Sequence, residues 1–185
     1  MDTTNFRTVQ HSKTVITELM IPSYANFGGK IHGGILLSLM DKVAYVFAAK
    51  HAGTYCITAS IDHVDFLAPV EVGELVSLRA SVNYVGTSSL VIGIRITSEN
   101  IKTQVMKHTN TSYFTMVAMD ENHKPTHVPG LILENKDEIR RFAEVLRKKE
   151  FKKQNKAHLK QIKTPLELES YKHLLEKERC LINFA

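Results

Sequence analysis

Asn26-Phe27-Gly28-Gly29-Lys30-Ile31-His32-Gly33-Gly34-Ile35-Leu36-Leu37-Ser38-Leu39-Met40-Asp41 is the stretch on which the reading of this chain turns. It opens as a glycine-rich loop and closes as an apolar segment carrying one carboxylate. From Gly33 to about Lys50 almost every residue is apolar, which predicts a helix buried on all sides. Glycines at a helix start leave backbone N–H groups bare and pointing along the positive end of the dipole. Such a terminus receives an anion, or an oxygen on which negative charge is growing. A carboxylate two turns further on can serve as a base. The combination points to acyl-transfer chemistry.

Outward from this stretch the pattern is mostly strand. Residues 12–21 read as a first strand that ends at Pro22. His51-Ala52-Gly53 closes the helix, and Cys56 to Phe66 is rich in β-branched residues. Leu78, Ala80, Val82 and Tyr84 alternate with Arg79, Ser81 and Asn83, as a half-buried strand requires. Leu90, Ile92, Ile94 and Ile96 repeat that pattern opposite Arg95 and Thr97. Val85-Gly86-Thr87-Ser88 joins the two into a hairpin. His108 to Met119 is a last strand, closed by the turn residues Asp120 to Pro125. One buried helix among about five antiparallel strands is an α+β layout, with the sheet wrapped around the helix.

Past Pro129-Gly130 the composition shifts, which divides the chain into a core over 1–130 and a C-terminal helical extension over 131–185. Asn135-Lys136-Asp137-Glu138 starts a helix whose apolar face is Ile139, Phe142, Ala143 and Leu146. A polar stretch from Gln154 to Gln161 follows, and Thr164-Pro165-Leu166-Glu167 reads as a second start. The formal charge of +5 belongs entirely to the extension, since residues 134–185 hold 14 Lys and Arg against 9 Asp and Glu. The run from Arg147 to Lys163 reads first as a solvated helix face. Ligand phosphates or an anionic surface are the functional readings. No aromatic residue beyond Phe151 interleaves with the lysines, so nucleic acid is not expected as a partner. No run reaches the ~18 apolar residues of a membrane span. The first residues do not form a signal peptide. Cys56 and Cys180 lack metal or redox spacing and read as reduced thiols of a cytosolic protein.

Several residues could carry chemistry. A carboxylate in an apolar helix must be hydrogen-bonded, paired or useful, so Asp41 is either tied to backbone or water at the helix surface or a general base holding a water. Asn26 reads as a turn residue whose amide can also orient a water or donate to a carbonyl. His32, before a glycine pair, reads as a cap sooner than as a base. Asp62, His63 and Asp65 have no companion at metal spacing, and no metal site is expected. Gly86, Thr87, Ser88 and Ser89 form a short turn that could also cradle a phosphate. No Ser-His-Asp arrangement or G-x-S-x-G elbow is present.

Asn26-x-x-Gly29-x-x-x-Gly33-Gly34 followed by Asp41 resembles the acyl-CoA thioesterases of the hotdog fold, in their acyl-CoA hydrolase branch. Further likenesses follow in order: Val64-Asp65-Phe66, Pro69-Val70-x-Val72-Gly73, Tyr84 to Ser89, and Phe114 to Asp120 leading to Val128-Pro129. The resemblance implies a long helix wrapped by an antiparallel sheet. It also implies homodimers whose sheets join edge to edge, commonly assembled as trimers of dimers. The active site would lie at the dimer interface, with Asn26 from one subunit and Asp41 from the other. Gly33 and Gly34 would polarise the thioester carbonyl, and Gly86 to Ser89 would lie near the coenzyme A phosphates. Asp41 would activate water or attack to form a mixed anhydride. The expected reaction gives free coenzyme A and a carboxylic acid in the cytoplasm. It needs no cofactor, since coenzyme A is part of the substrate. A non-catalytic acyl-CoA-binding regulator on the same fold is the alternative, which retention of Asp41 disfavours.

Overall fold

The computed structural model describes residues 5–162, 175 and 178–180. Met1–Val145 forms one compact unit and Leu146–Ala185 a second. The division expected at 130/131 falls inside the first unit, because the start of the last helix belongs to it. There Val145 is buried and the Phe142 ring lies 5.1 Å from that of Tyr84.

The core is an antiparallel sheet of five strands in the order β2-β4-β5-β6-β3: β2 Val15–Leu19, β3 Cys56–Ile61, β4 Glu74–Val85, β5 Ser89–Asn100 and β6 Met106–Ala118. The expected hairpin is there, with Val85 opposite Leu90 and Leu78 opposite Ile96. The helix α2, Gly33–Ala52, lies on one face of the sheet. Leu90, Ile92, Ile94 and Ile96 of β5 point at it and are fully buried, as are Phe114 and Met116 of β6. Met40, Ala44 and Phe47 meet them from the helix, and Met40 and Phe47 each contribute about 1.5–3 kcal/mol by leaving water.

The helix is not buried on all sides within one chain. Leu36, Met40, Val43, Ala44, Phe47 and Ala48 form the buried stripe, while Asp41, Lys42 and Tyr45 are exposed and Leu37, Leu39 and Val46 half-buried. The uncovered apolar flank adjoins β3, one of the sheet's two edge strands, on which Ile57 and Ile61 are also exposed. An apolar edge with unpaired backbone groups is a template for another strand.

Two short strands were not foreseen. β1, Phe6–Thr8, pairs in parallel with β7, Gly130–Ile132. A four-residue helix, α1 Val9–Ser12, follows β1. Arg7 on β1 donates to the carbonyl oxygens of Lys50 and His51 at 3.1 and 2.6 Å, so a cation sits at the negative end of α2. The helix stops at Gly53, whose φ of 76° is left-handed and whose N–H returns to the Ala49 carbonyl. The last helix, α3, runs Lys136–Ile162, straight through the polar stretch expected to interrupt it. Lys, Gln, Glu and Arg are all good helix formers, and none of those residues is Gly or Pro. The second start expected at Thr164 to Glu167 lies outside the described residues. Within them, no helix is long and apolar enough to cross a membrane.

Candidate active site

Asn26 shapes the loop before α2. Its Oδ1 accepts from the N–H groups of Gly28 at 2.9 Å and Lys30 at 3.2 Å. Its own N–H donates to the Lys30 carbonyl at 2.7 Å. Two backbone donors on one oxygen fix the orientation of the amide. The Nδ2 group is left as a pure donor, suited to an oxygen of water or of a carbonyl. The Lys30 ammonium holds both oxygens of Glu71, at 2.6 and 2.8 Å, and ties the loop to the start of β4. Phe27 stands at the loop tip, fully exposed.

The helix start is more specific than the sequence implied. His32 is the N-cap, and its Nδ1 accepts from Gly34 N–H at 2.9 Å. Of the two glycine amides, Gly34 N–H is thus committed, and Gly33 N–H makes no hydrogen bond among the described residues. Gly33 and Asn26 line the same open cleft of about 630 Å³. A Cβ on residue 33 would lie 3.3 Å from the Phe66 ring, so the glycine lets that ring approach.

Asp41 is on α2 but not in that cleft. Its Oδ1 accepts from Thr58 Oγ1 at 2.6 Å. Thr58 is on β3, where the register slips between Thr58 and Ser60. Such a bulge re-aims side chains and is enriched beside active sites. Sequence reasoning passed over Thr58, because a threonine in a β-branched run is what any strand shows. A helix rises 1.5 Å per residue, so Gly33 and Asp41 are about 12 Å apart along one axis. A thioester carbon within reach of both would need each within about 3.5 Å.

Gly86 to Ser89 lies at the β4–β5 turn. Gly86 N–H donates to Ser89 O at 2.7 Å, and the carbonyls of Thr87 and Ser88 accept from Val128 and Ala118. This turn is next to Ala118, which pairs with Cys56 just past the C-terminal end of α2. The cleft at Gly33 is beside Val70 and Glu71, at the other end of β4. Within one chain the turn and the cleft are therefore separated by most of the sheet's length, roughly 35 Å for a strand the length of β4.

No three His, Cys, Asp or Glu side chains gather as a metal site among the described residues. The Cys56 thiol, buried at the start of β3, is pushed up to about 11 by desolvation, which suppresses nucleophilic thiolate there.

Residues 28–105 match the model of the thioesterase superfamily. Protein VdlD of Helicobacter pylori is 44% identical over 78% of this chain and 83% of its own length. The uncharacterized acyl-CoA thioester hydrolase YkhA of Bacillus subtilis is 34% identical over 85% and 92%. The chain belongs to the thioesterase superfamily. Among solved members, an apo-hexameric acyl-CoA thioesterase superposes with a TM-score of 0.79 at 35% identity, over 83% of this chain and 98% of that one. The acyl-CoA hydrolase of Staphylococcus aureus, solved with butyryl coenzyme A and coenzyme A, gives 0.76 at 32% identity over 85% and 96%. The same enzyme has also been solved with an asparagine, an aspartate or a threonine replaced by alanine. The five-stranded sheet and long helix of this thioesterase chain are the hotdog fold expected from the sequence.

Proposed function

We infer that this chain is an acyl-CoA thioester hydrolase whose active site is built from two subunits. One observation carries the shared site: Gly33 and Asp41 are about 12 Å apart on a single rigid helix, too far to serve one carbonyl. A two-fold pairing at the β3 edge covers the exposed flank of α2 and sets the Asp41 of one subunit toward the cleft of the other. The same symmetry carries the Gly86 to Ser89 turn of one subunit toward the other's helix start, where coenzyme A phosphates would run. A homodimer is then the minimal unit. Assembly of three dimers is supported by the hexameric acyl-CoA thioesterase and the hexameric thioesterase of Yersinia pestis.

In the proposed step the thioester oxygen accepts from Gly33 N–H, on the positive end of the dipole. Gly34 takes part only if His32 releases it. Asn26 Nδ2 donates to the attacking water or to that oxygen. Asp41 accepts a proton from the water as its oxygen bonds to the acyl carbon. Thr58 Oγ1 holds the carboxylate in place. The tetrahedral intermediate expels coenzyme A as a thiolate, which needs little protonation because thiols ionise near pH 8.5. The proton on Asp41 then returns to the thiolate. Water, a thioester and protein groups balance this step, so no cofactor is proposed. Direct attack by Asp41, with a mixed anhydride, uses the same contacts.

In the S. aureus enzyme the three replaced residues are an asparagine, an aspartate fifteen further on and a threonine seventeen beyond that. Asn26, Asp41 and Thr58 repeat both spacings, which supports giving them these roles. We place the enzyme in the cytoplasm, where acyl-CoA is at hand and its two cysteines stay free. Hydrolysis of an acyl-CoA panel, followed by free thiol, tests the reading. Release of coenzyme A with saturation supports it, and binding without release would favour a regulator.

A further inference from the structure

The face of the sheet turned away from α2 carries a second cavity, of about 680 Å³, bounded by β4, β5, β6 and the first turns of α3. Its floor is unusual in charge. Arg79 on β4 lies directly opposite Arg95 on β5. Like charges at opposed positions of an antiparallel pair destabilise it, since their Cβ atoms are about 5 Å apart. Among the described residues neither guanidinium has a hydrogen bond or ion pair. Arg141, from α3, lines the same cavity and, among the described residues, donates only to Ser81 Oγ, at 3.3 Å. Lys13 joins from the edge, likewise without a carboxylate among the described residues.

The other charges in the cavity are already matched. Lys107 pairs with Glu74 at 2.9 Å, and Arg140 pairs with Glu144 and Asp137. Among the described residues, Lys13, Arg79, Arg95 and Arg141 are left as four uncompensated cations on one concave surface. An independent feature lies beneath them. Thr97, which lines the cavity and is about nine-tenths buried, has an Oγ1 with no hydrogen-bond partner among the described residues. An unpaired buried hydroxyl costs roughly what a lost hydrogen bond does.

We propose that this cavity binds the phosphate group of a small molecule, at a site separate from the thioester-hydrolysing one. A carboxylate offers one charge and two oxygens, which a single guanidinium fork satisfies. Three arginines and a lysine call for more charge and more acceptors, and phosphate supplies both. The cavity exceeds what a bare anion fills, and Tyr113 and Met106 line it as well, so the phosphate is an ester or a diphosphate with an organic part. The site is distinct because α2, with Asp41, lies on the opposite face.

Isothermal titration calorimetry on the full chain tests this, at fixed ionic strength and with coenzyme A saturating. Inorganic phosphate and pyrophosphate are the two probes. Pyrophosphate should bind once per subunit and more tightly than phosphate, which identifies a diphosphate as the natural group; the reverse order identifies a monoester. Arg79→Gln with Arg95→Gln should weaken binding at least about 10-fold, the scale of charge-assisted hydrogen bonds, and Thr97→Val a few-fold. Arg95→Lys keeps the charge, loses the fork and should fall between. Thioester hydrolysis and oligomer mass should not change in these variants. Without ligand, the double variant should melt no lower than wild type, because a like-charge pair has been removed. The proposal is overturned if wild type, already saturated with coenzyme A, binds neither probe, or if the arginine variants bind equally well. Hydrolysis by wild type is read in a separate assay, so its absence would count against the thioesterase reading and not against this site.

Discussion

Asp41 Oδ1 and Thr58 Oγ1 are 2.6 Å apart, which joins the middle of α2 to the edge strand β3. The hydroxyl has a single hydrogen and spends it on the carboxylate. It thereby fixes which carboxylate oxygen is available to a water. Replacing Asp41 with alanine should lower kcat by on the order of 10²–10⁴ while KM changes little. Thr58→Ala should cost about 10-fold in kcat, and Thr58→Ser should restore most of it. Retention of more than about a tenth of wild-type kcat by Asp41→Ala, with the fold intact by thermal melt, would falsify its role as base.

The shared site can be tested by mixing. Asn26→Ala and Asp41→Ala should each be nearly inactive as homodimers. In a mixed dimer, two-fold symmetry puts both lesions in one site and leaves the other whole. About half of randomly paired dimers are mixed, so roughly a quarter of wild-type activity should return on coexpression. No recovery, with subunit exchange verified by mass, would show that both residues serve a site within one chain.

His51 gives the protein an acid-sensitive element. It is fully buried at the C-terminal end of α2, with Nε2 3.1 Å from the Pro129 carbonyl oxygen and Nδ1 unpartnered among the described residues. Burial lowers its pKa below the usual 6.5, opposed by the Pro129 contact and helped by the charge of Arg7. The folded chain thus keeps the ring neutral where the unfolded chain protonates it. The unfolded state binds more protons, so this contribution is complete above about pH 6.5 and is lost as pH falls toward the folded value. Between pH 7.5 and 5.5, Tm should fall further in wild type than in His51→Gln. Parallel slopes for the two proteins would rule the element out.

The cysteines should differ in reactivity. Cys56 is buried with its pKa pushed up to about 11, and Cys180 is exposed. At pH 8 a disulfide-type thiol reagent should titrate Cys180 at once and reach Cys56 only after denaturation, because the thiolate fraction at Cys56 is about one in a thousand. Two fast equivalents per native chain would mean that β3 opens readily.

Long, strongly patterned elements were legible from residues alone. The alternation in β4 and β5 marked them as paired strands, and the apolar run after Gly33 marked α2, because burial writes itself into periodicity. Contacts made by single residues across distant elements were not. β1 and β7 have three residues each, too short for any period. Arg7 reads as one more charge until it is seen on the carbonyls of Lys50 and His51. At the candidate site, Asn26, Gly33 and Asp41 stood out because their neighbours are so apolar or so rich in glycine. Thr58 did not, since its environment is ordinary for a strand and its partner lies 17 residues away. The capping of Gly34 by His32 depends on a side-chain rotamer, which spacing does not encode.

Placing the helix start and the carboxylate two turns apart on one rigid rod also sets how activity depends on abundance. Under the proposed shared site, a lone subunit would hold an electrophile-polarising end and a base that never meet on one substrate. Turnover would then begin only when subunits associate. Well below the dimer dissociation constant, the rate should rise with the square of chain concentration and become linear above it. Newly made chains would be silent toward the cell's acyl-CoA until enough of them had accumulated to pair.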